Sequence, residues 1–164
     1  MPGARGRDTA MDVATFSEIE AEFIERVHKM VWCSVATLDT RNRLRSRTLH
    51  PIWEGATGWI GTRRHTLKAK HLAHNPYVSL AYIADVVRPV YVDCLAEWAD
   101  NLADKERAWQ LYASAAPPLG FDYSTIFASP AEPEFGLLKL TPWRIELADM
   151  MNRDNRKVWR SRDA

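Results

Sequence analysis

The sequence predicts a mainly β, α+β fold: a small antiparallel barrel with flanking helices. Three observations lead there. The chain has 164 residues, 46% of them hydrophobic, which suits one domain with a sizeable core. Short runs of β-formers recur along it, separated by Gly, Pro, Asn and Asp turn signals. A few amphipathic segments interrupt them, giving the order α, β, β, β, α, β, β, α, β, β.

Residues 1–16, "MPGARGRDTAMDVATF", lack the apolar segment of a secretory leader and are expected as a flexible tail. The first helix is predicted from Ser17 to Met30. Ser17 and Glu20 make an S-x-x-E capping box, and Ile19, Phe23, Val27 and Met30 share a face. "WCSVATLD", residues 32–39, is a strand ending at an Asp-Thr-Arg-Asn turn. "LRSRTLHPIW" reads as the second strand, with Pro51 favouring an edge or a bulge. "EGATG" supplies a hairpin turn and "WIGT" a third strand. Thr66 to His74 reads as a short helix with Thr66 as N-cap, stopped by Asn75-Pro76. "YVSLAYI" and "VVRPVYVDCLAEW" are further strands. "DNLADKERAWQLYASA" is a second amphipathic helix with Leu102, Ala108, Trp109 and Tyr112 inward. "APPLGFDYSTIFASPAEPEF" is a Pro-rich aromatic loop, a lid or a packed cover. "FGLLKL" and "WRIELA" are the last strands, divided at Thr141-Pro142. Residues 149–164 read as a polar tail, which leaves 17–148 as the domain.

The apolar runs are too short to span a membrane. Cys33 and Cys94 form no C-x-x-C pair and read as buried thiols of a cytoplasmic protein. The charge is unevenly placed. The whole chain is formally +1, yet residues 41–71 hold eight cations against one acid, Glu54, and so carry +7. A basic patch in a near-neutral chain points to a local anionic ligand more than to a broad nucleic-acid surface.

Within the patch, Arg45 and Arg47 are two residues apart on a predicted strand and share a face. Two guanidiniums there are costly to bury without an anion. Thr62 closes the next strand, and Thr66 and Lys68 open the helix after it. A helix N-terminus, a cap hydroxyl, a Lys one turn in and an Arg from the neighbouring strand can surround a phosphate. A solvated, bland charge run is the competing account of the same residues.

The stretch "WIGTRRHTLKAKHLAHNPYVSLAY" resembles the flavin-phosphate segment of the pyridoxamine 5′-phosphate oxidase-like family, the FMN-binding split barrels. The family pattern is a strand ending in Thr, Ser four residues later, Lys two after that, then Asn-Pro before a strand. Thr62, Thr66, Lys68 and Asn75-Pro76 fill it here. "RSRTL" resembles the strand that carries a phosphate-binding Arg, with Arg47 in that place. The resemblance spans roughly residues 20–148. It implies a six-stranded antiparallel split β-barrel that forms a homodimer, with FMN in a groove between subunits. It also implies that Arg47, Thr62, Thr66 and Lys68 hold the phosphate. Backbone at Thr48, Leu49, Ile60 and Gly61 would line the ring system, with Arg45 and Leu67 completing the candidate cofactor-binding set. Leu67 stands where the family often has Arg, and Pro89 where a Gln commonly reaches the flavin. The C-terminal Arg-x-His segment of the vitamin-specific oxidases is missing. These departures point away from pyridoxamine phosphate as substrate and leave coenzyme F420 as the alternative cofactor.

The expected function is therefore an FMN- or F420-dependent oxidoreductase acting on a small organic molecule, with no assigned catalytic side chain. A non-catalytic cofactor-binding or RNA-binding protein is the other class. Only Trp53 and Trp59 could stack on bases near the patch, which argues against RNA. His65, His71 and His74 lack nearby carboxylate or thiolate ligands, which argues against a metal. His50, beside the ring-lining segment, is either a cofactor contact or an ordinary strand-end histidine.

Overall fold

The computed structural model describes residues 10–162. Its strands are β1 (Met11–Val13), β2 (Cys33–Leu38), β3 (Leu44–Leu49), β4 (Ile52–Glu54), β5 (Thr57–Arg63), β6 (Tyr77–Tyr82), β7 (Val90–Trp98), β8 (Phe135–Leu147) and β9 (Lys157–Arg160). The helices are α1 (Glu20–Met30), α2 (Leu67–His74) and α3 (Leu102–Ser114).

Alternation in β2 defines the inner face of the sheet: Cys33, Val35 and Thr37 are buried, and the residues between them are half-buried. The β2–β3 hairpin turns on Asp39, whose carboxylate accepts from the Arg41 and Arg43 amides at 2.9 and 3.0 Å. The predicted strand "LRSRTLHPIW" is two strands. His50-Pro51 separates β3 from β4, because Pro51 has no N–H to give a ladder. The opposite happens at Pro142. "FGLLKL" and "WRIELA" form one continuous strand, β8, and Pro142 sits opposite Cys94 where the β7–β8 register shifts.

The sheet runs β1-β9-β8-β7-β6-β2-β3, with β5 paired to β8 and β4 to β5. Pairing is antiparallel except between β1 and β9. The mainly β, α+β class is as predicted. The sheet, however, has nine strands rather than six, is mixed, and does not close on itself. Both expected tails contribute to it. Met11–Val13 pairs in parallel with residues 157–159, so part of each expected tail is a strand of the sheet. Residues 1–9 of the predicted tail lie outside the described residues.

The helix termini differ in detail from the prediction. Ser17 lies inside a short 3-10 turn (Phe16–Glu18) and caps nothing. Thr15 takes that role, its amide and hydroxyl both donating to Glu18 at 2.7 and 2.9 Å. On α3, capped by Asn101, Ala108, Trp109 and Tyr112 face inward as predicted, joined by Lys105, while Leu102 is exposed.

Two hydrophobic cores result. In the larger, Phe23 of α1 meets Trp53 edge-on at 5.0 Å, and Trp53 Nε1 donates to Tyr82 at 2.9 Å. Cys33 and Cys94 are free, buried thiols in this core, and burial pushes the Cys33 thiol up to about 12. The smaller core joins α3 to the 116–135 loop through Tyr112, Tyr123, Phe127 and Phe135. Among the described residues no helix is long and apolar enough to cross a membrane.

Candidate functional site

Arg47 stands opposite Val35 on the β2–β3 ladder, and Arg45 opposite Thr37, so both arginines start from the inner face. The Arg47 guanidinium runs diagonally along that face. Its Nη1 donates to Thr37 Oγ1 at 3.0 Å and its Nη2 reaches His71 Nδ1 at 3.3 Å. Thr37 Oγ1 and His71 Nδ1 are themselves 3.0 Å apart. His71 comes from α2, one turn after Lys68. The Lys68 side chain is also buried, at 8% exposure, and its ammonium donates to Thr66 Oγ1 at 3.0 Å. Thr66 occupies the N-cap position, with extended backbone, but its hydroxyl serves Lys68 rather than a helix amide. Burial, and then the Arg47 charge, hold the Lys68 ammonium below its ordinary range. Burial and Arg45 do the same to Arg47.

None of the ion pairs among the described residues involves Arg45, Arg47, Arg63, Lys68 or Lys70. The site's two inward cations are held by neutral oxygens and nitrogens. A buried cation without a counter-ion is costly to desolvate, and repulsion between neighbours adds to the cost. The charge of such an arrangement is not neutralised within the protein.

A cavity of about 340 Å³ lies between β3, the strand that carries Arg47, and β5. Thr48 and Leu49 of β3 form one side and Gly61 and Thr62 of β5 another, closed by Phe121, Tyr123 and Phe127 of the long loop. The loop is a packed wall. Tyr123 donates to the Gly61 carbonyl at 3.1 Å, and Tyr112 to those of His50 and Trp59 at 2.5 and 2.8 Å. Gly61 must lack a side chain for this, since a Cβ there would fall 2.4 Å from Tyr123. Trp32, 53% exposed, stands at the mouth with its ring 4.9 Å from that of His50. His50 Nε2 is buried without a hydrogen-bond partner, and burial holds the imidazole below its ordinary range. Arg63 lies at the rim over the Phe127 ring, 5.6 Å from its centroid.

The predicted site residues thus fall into three groups. Arg47, Thr66 and Lys68 belong to the cation cluster. Thr48, Leu49, Gly61 and Thr62 line the cavity. Ile60 points its side chain into the larger core, so it has only backbone to offer, and Arg45 and Leu67 are exposed. Trp59 faces α3, with Nε1 donating to Glu54 at 3.0 Å, and does not face the cavity. Arg64 is tied to Asp100 at 3.0 Å and lies on Trp98. The other patch histidines diverge, His65 to Glu134 and His74 to Asn42. Sequence reasoning missed Thr37, His71 and Trp32. The β2 alternation and the i, i+3 spacing of Lys68 and His71 were the available signals for the first two.

No family model matches the chain, and no curated protein sequence matches it. Solved structures do. A pyridoxamine 5′-phosphate oxidase-related, FMN-binding protein from Nostoc punctiforme is 16% identical, with a TM-score of 0.67 over 92% of this chain and 93% of that one. An F420 reductase is 14% identical, with a TM-score of 0.55 over 74% and 93%. HutZ, the heme storage protein of Vibrio cholerae, is 20% identical, with a TM-score of 0.56 over 76% and 89%. At these identities the likeness establishes the fold. The chain has the fold of the pyridoxamine 5′-phosphate oxidase-like proteins that its sequence resembles.

Proposed function

We propose that the protein binds a phosphorylated flavin-type cofactor, FMN, and transfers two electrons between it and a small organic substrate. The observation that carries this reading is the pair Arg47 and Lys68: inward, without acid partners, and adjacent to an apolar cavity of small-molecule size. Sites of this kind run from about 300 to 1,000 Å³. The residues fit the group. Arg47 offers the planar fork and Lys68 the point charge for a phosphate, with the Thr66 hydroxyl on Lys68 and Thr62 in the cavity wall. Backbone at Thr48, Leu49, Ile60 and Gly61 lines the ring position, and the Tyr123–Phe127 wall keeps water from it. When bound, the cofactor supplies the redox chemistry, while the protein binds, orients and shields. The working form is a cytoplasmic homodimer with the cofactor at the subunit interface. Trp32 and Ile126, large apolar side chains about half exposed at the cavity mouth, support a covering second copy.

Coenzyme F420 is the second reading, favoured by Arg63. That guanidinium stands at the cavity rim without an acid partner and suits additional acidic groups on a longer cofactor. Titration of the purified protein with FMN, F420 and haem tests both. Saturable FMN binding, tighter than that of riboflavin, is expected. Binding of haem alone, or of none of the three, overturns the oxidoreductase reading.

A further inference from the structure

We infer that Thr37 and His71 are positioning residues of the anion site, holding the Arg47 guanidinium through two neutral acceptors so that its charge stays available to the ligand. The inference rests on the reading of Arg47 as a phosphate ligand and extends it to residues outside the recognised motif.

The geometry is a closed triangle. An arginine can only donate, so the 3.3 Å contact from Nη2 makes His71 Nδ1 the acceptor. With its Nδ1 lone pair so engaged, His71 is the neutral, Nε2-protonated imidazole. The Thr37 hydroxyl accepts from Nη1 at 3.0 Å and turns its own proton to Nδ1, also at 3.0 Å. One arrangement of hydrogens then serves the triangle, with the single Nδ1 lone pair shared between the hydroxyl and the more distant Nη2, and both terminal nitrogens of Arg47 are pinned.

The choice of partners matters. A carboxylate in either place would pin the guanidinium as well but would cancel its charge and compete with an incoming anion. The nearest charged groups show the same logic. Asp39, at the end of β2, already serves Arg43 and two amides, while Arg45 on β3 and Lys68 on α2 add positive charge. Burial, and then Arg47, keep the His71 imidazole below its ordinary range, in keeping with a neutral acceptor. A pre-set guanidinium loses little freedom when the ligand arrives.

Two measurements test this. The first needs no cofactor: the imidazole nitrogen shifts of His71 at neutral pH, read by NMR on the full chain. The Nε2–H tautomer is expected; the Nδ1–H tautomer or a charged ring overturns the triangle. The second is a double-mutant cycle on FMN and riboflavin binding. Thr37→Val, which keeps shape and removes the hydroxyl, is expected to weaken FMN about five- to tenfold, the scale of one hydrogen bond, with riboflavin unchanged. His71→Leu behaves likewise, and His71→Asn restores part of the loss. In an Arg47→Met background neither substitution has a further effect. Equal losses with and without Arg47 overturn the positioning role. If the wild-type protein binds no flavin, the cofactor reading fails. The same cycle run with inorganic phosphate, together with the tautomer, then decides the positioning role separately.

Discussion

Two groups of buried or half-buried charges sit on one sheet and are treated in opposite ways. On α1, β8 and β9 the buried and half-buried cations Arg26, Arg144 and Lys157 each have an acid. Glu22 takes Arg26, Arg88 and Lys157 at 2.5–2.9 Å, and Glu146 takes Arg156 at 2.6 Å together with Arg144, which also reaches Asp93. Burial alone would raise the Glu22 and Glu146 carboxyls, but their basic partners bring both below the ordinary range. Across β2, β3 and α2, Arg47 and Lys68 have threonines and a histidine instead. The first arrangement is self-neutralising and ties Arg156 and Lys157, at the start of β9, to β8 and α1. The second leaves charge unspent, which serves stability poorly and anion binding well.

The contrast breaks most visibly in the paired region. Glu22→Ala strands three cations at once. A loss of about 2–3 kcal/mol is expected in denaturant unfolding, below the full value for a buried pair because the carboxylate is partly exposed. Next in size, Lys68→Ala is expected to weaken FMN binding by about 1.5–3 kcal/mol, the range for a charge-assisted hydrogen bond, as read by titration. An unchanged affinity places the anion elsewhere. The sharpest comparison is one of sign. Lys68→Met removes an uncompensated cation and keeps apolar bulk, so the ligand-free protein is expected to gain about 1 kcal/mol while losing affinity. A loss of stability there would make Lys68 structural. On the loop side, Gly61→Ala is expected to cost about 1–3 kcal/mol by overpacking, since Tyr123 would have to leave its carbonyl partner. Pairing it with Tyr123→Ala should remove most of that loss.

The smallest effect is in pH. His28, His50 and His71 are all held below the ordinary histidine range by burial, and His28 Nε2 accepts from the Trp53 amide at 3.1 Å. The unfolded chain therefore binds more protons than the native one as pH falls below about 6.5, the free histidine value. The stability these neutral rings carry is complete above that pH and declines below it. Thermal unfolding from pH 8 to 5 should show the decline begin near 6.5 and flatten in His28→Gln. The paired acids, with lowered pKa values, should hold until more acidic pH.

Much of this was legible in the sequence, and the rest was not for definite reasons. Alternation in β2 and β6, the Asn75-Pro76 stop and the Thr62–Thr66–Lys68 spacing are local signals, and they located the strands, α2 and the cation cluster. Pro51 and Pro142 show the limit. Both carry the same local signal, yet one divides a strand and the other sits at a register shift inside one, because the partner strand decides. The end segments looked like tails because each is polar alone; β9 becomes a strand by pairing with β8, and β1 by pairing with β9. Alternation in β2 and the spacing from Lys68 put Thr37 and His71 on the right faces, but what joins them to the site is Arg47, 10 and 24 residues away in the chain. Trp59 faces α3 rather than the cavity, since its face of the strand is fixed by the β5–β8 register.

The most direct test of the central claim, that uncompensated charge at Arg47 and Lys68 is reserved for a phosphate, is one calorimetric comparison. FMN and riboflavin share a ring and differ by the phosphate. Titrated into the same protein at the same ionic strength, FMN is expected to bind about 100-fold more tightly, the scale of two charge-assisted contacts, and the gap should close in Arg47→Met/Lys68→Met. Equal affinities for the two ligands, or a gap that survives both substitutions, would contradict it.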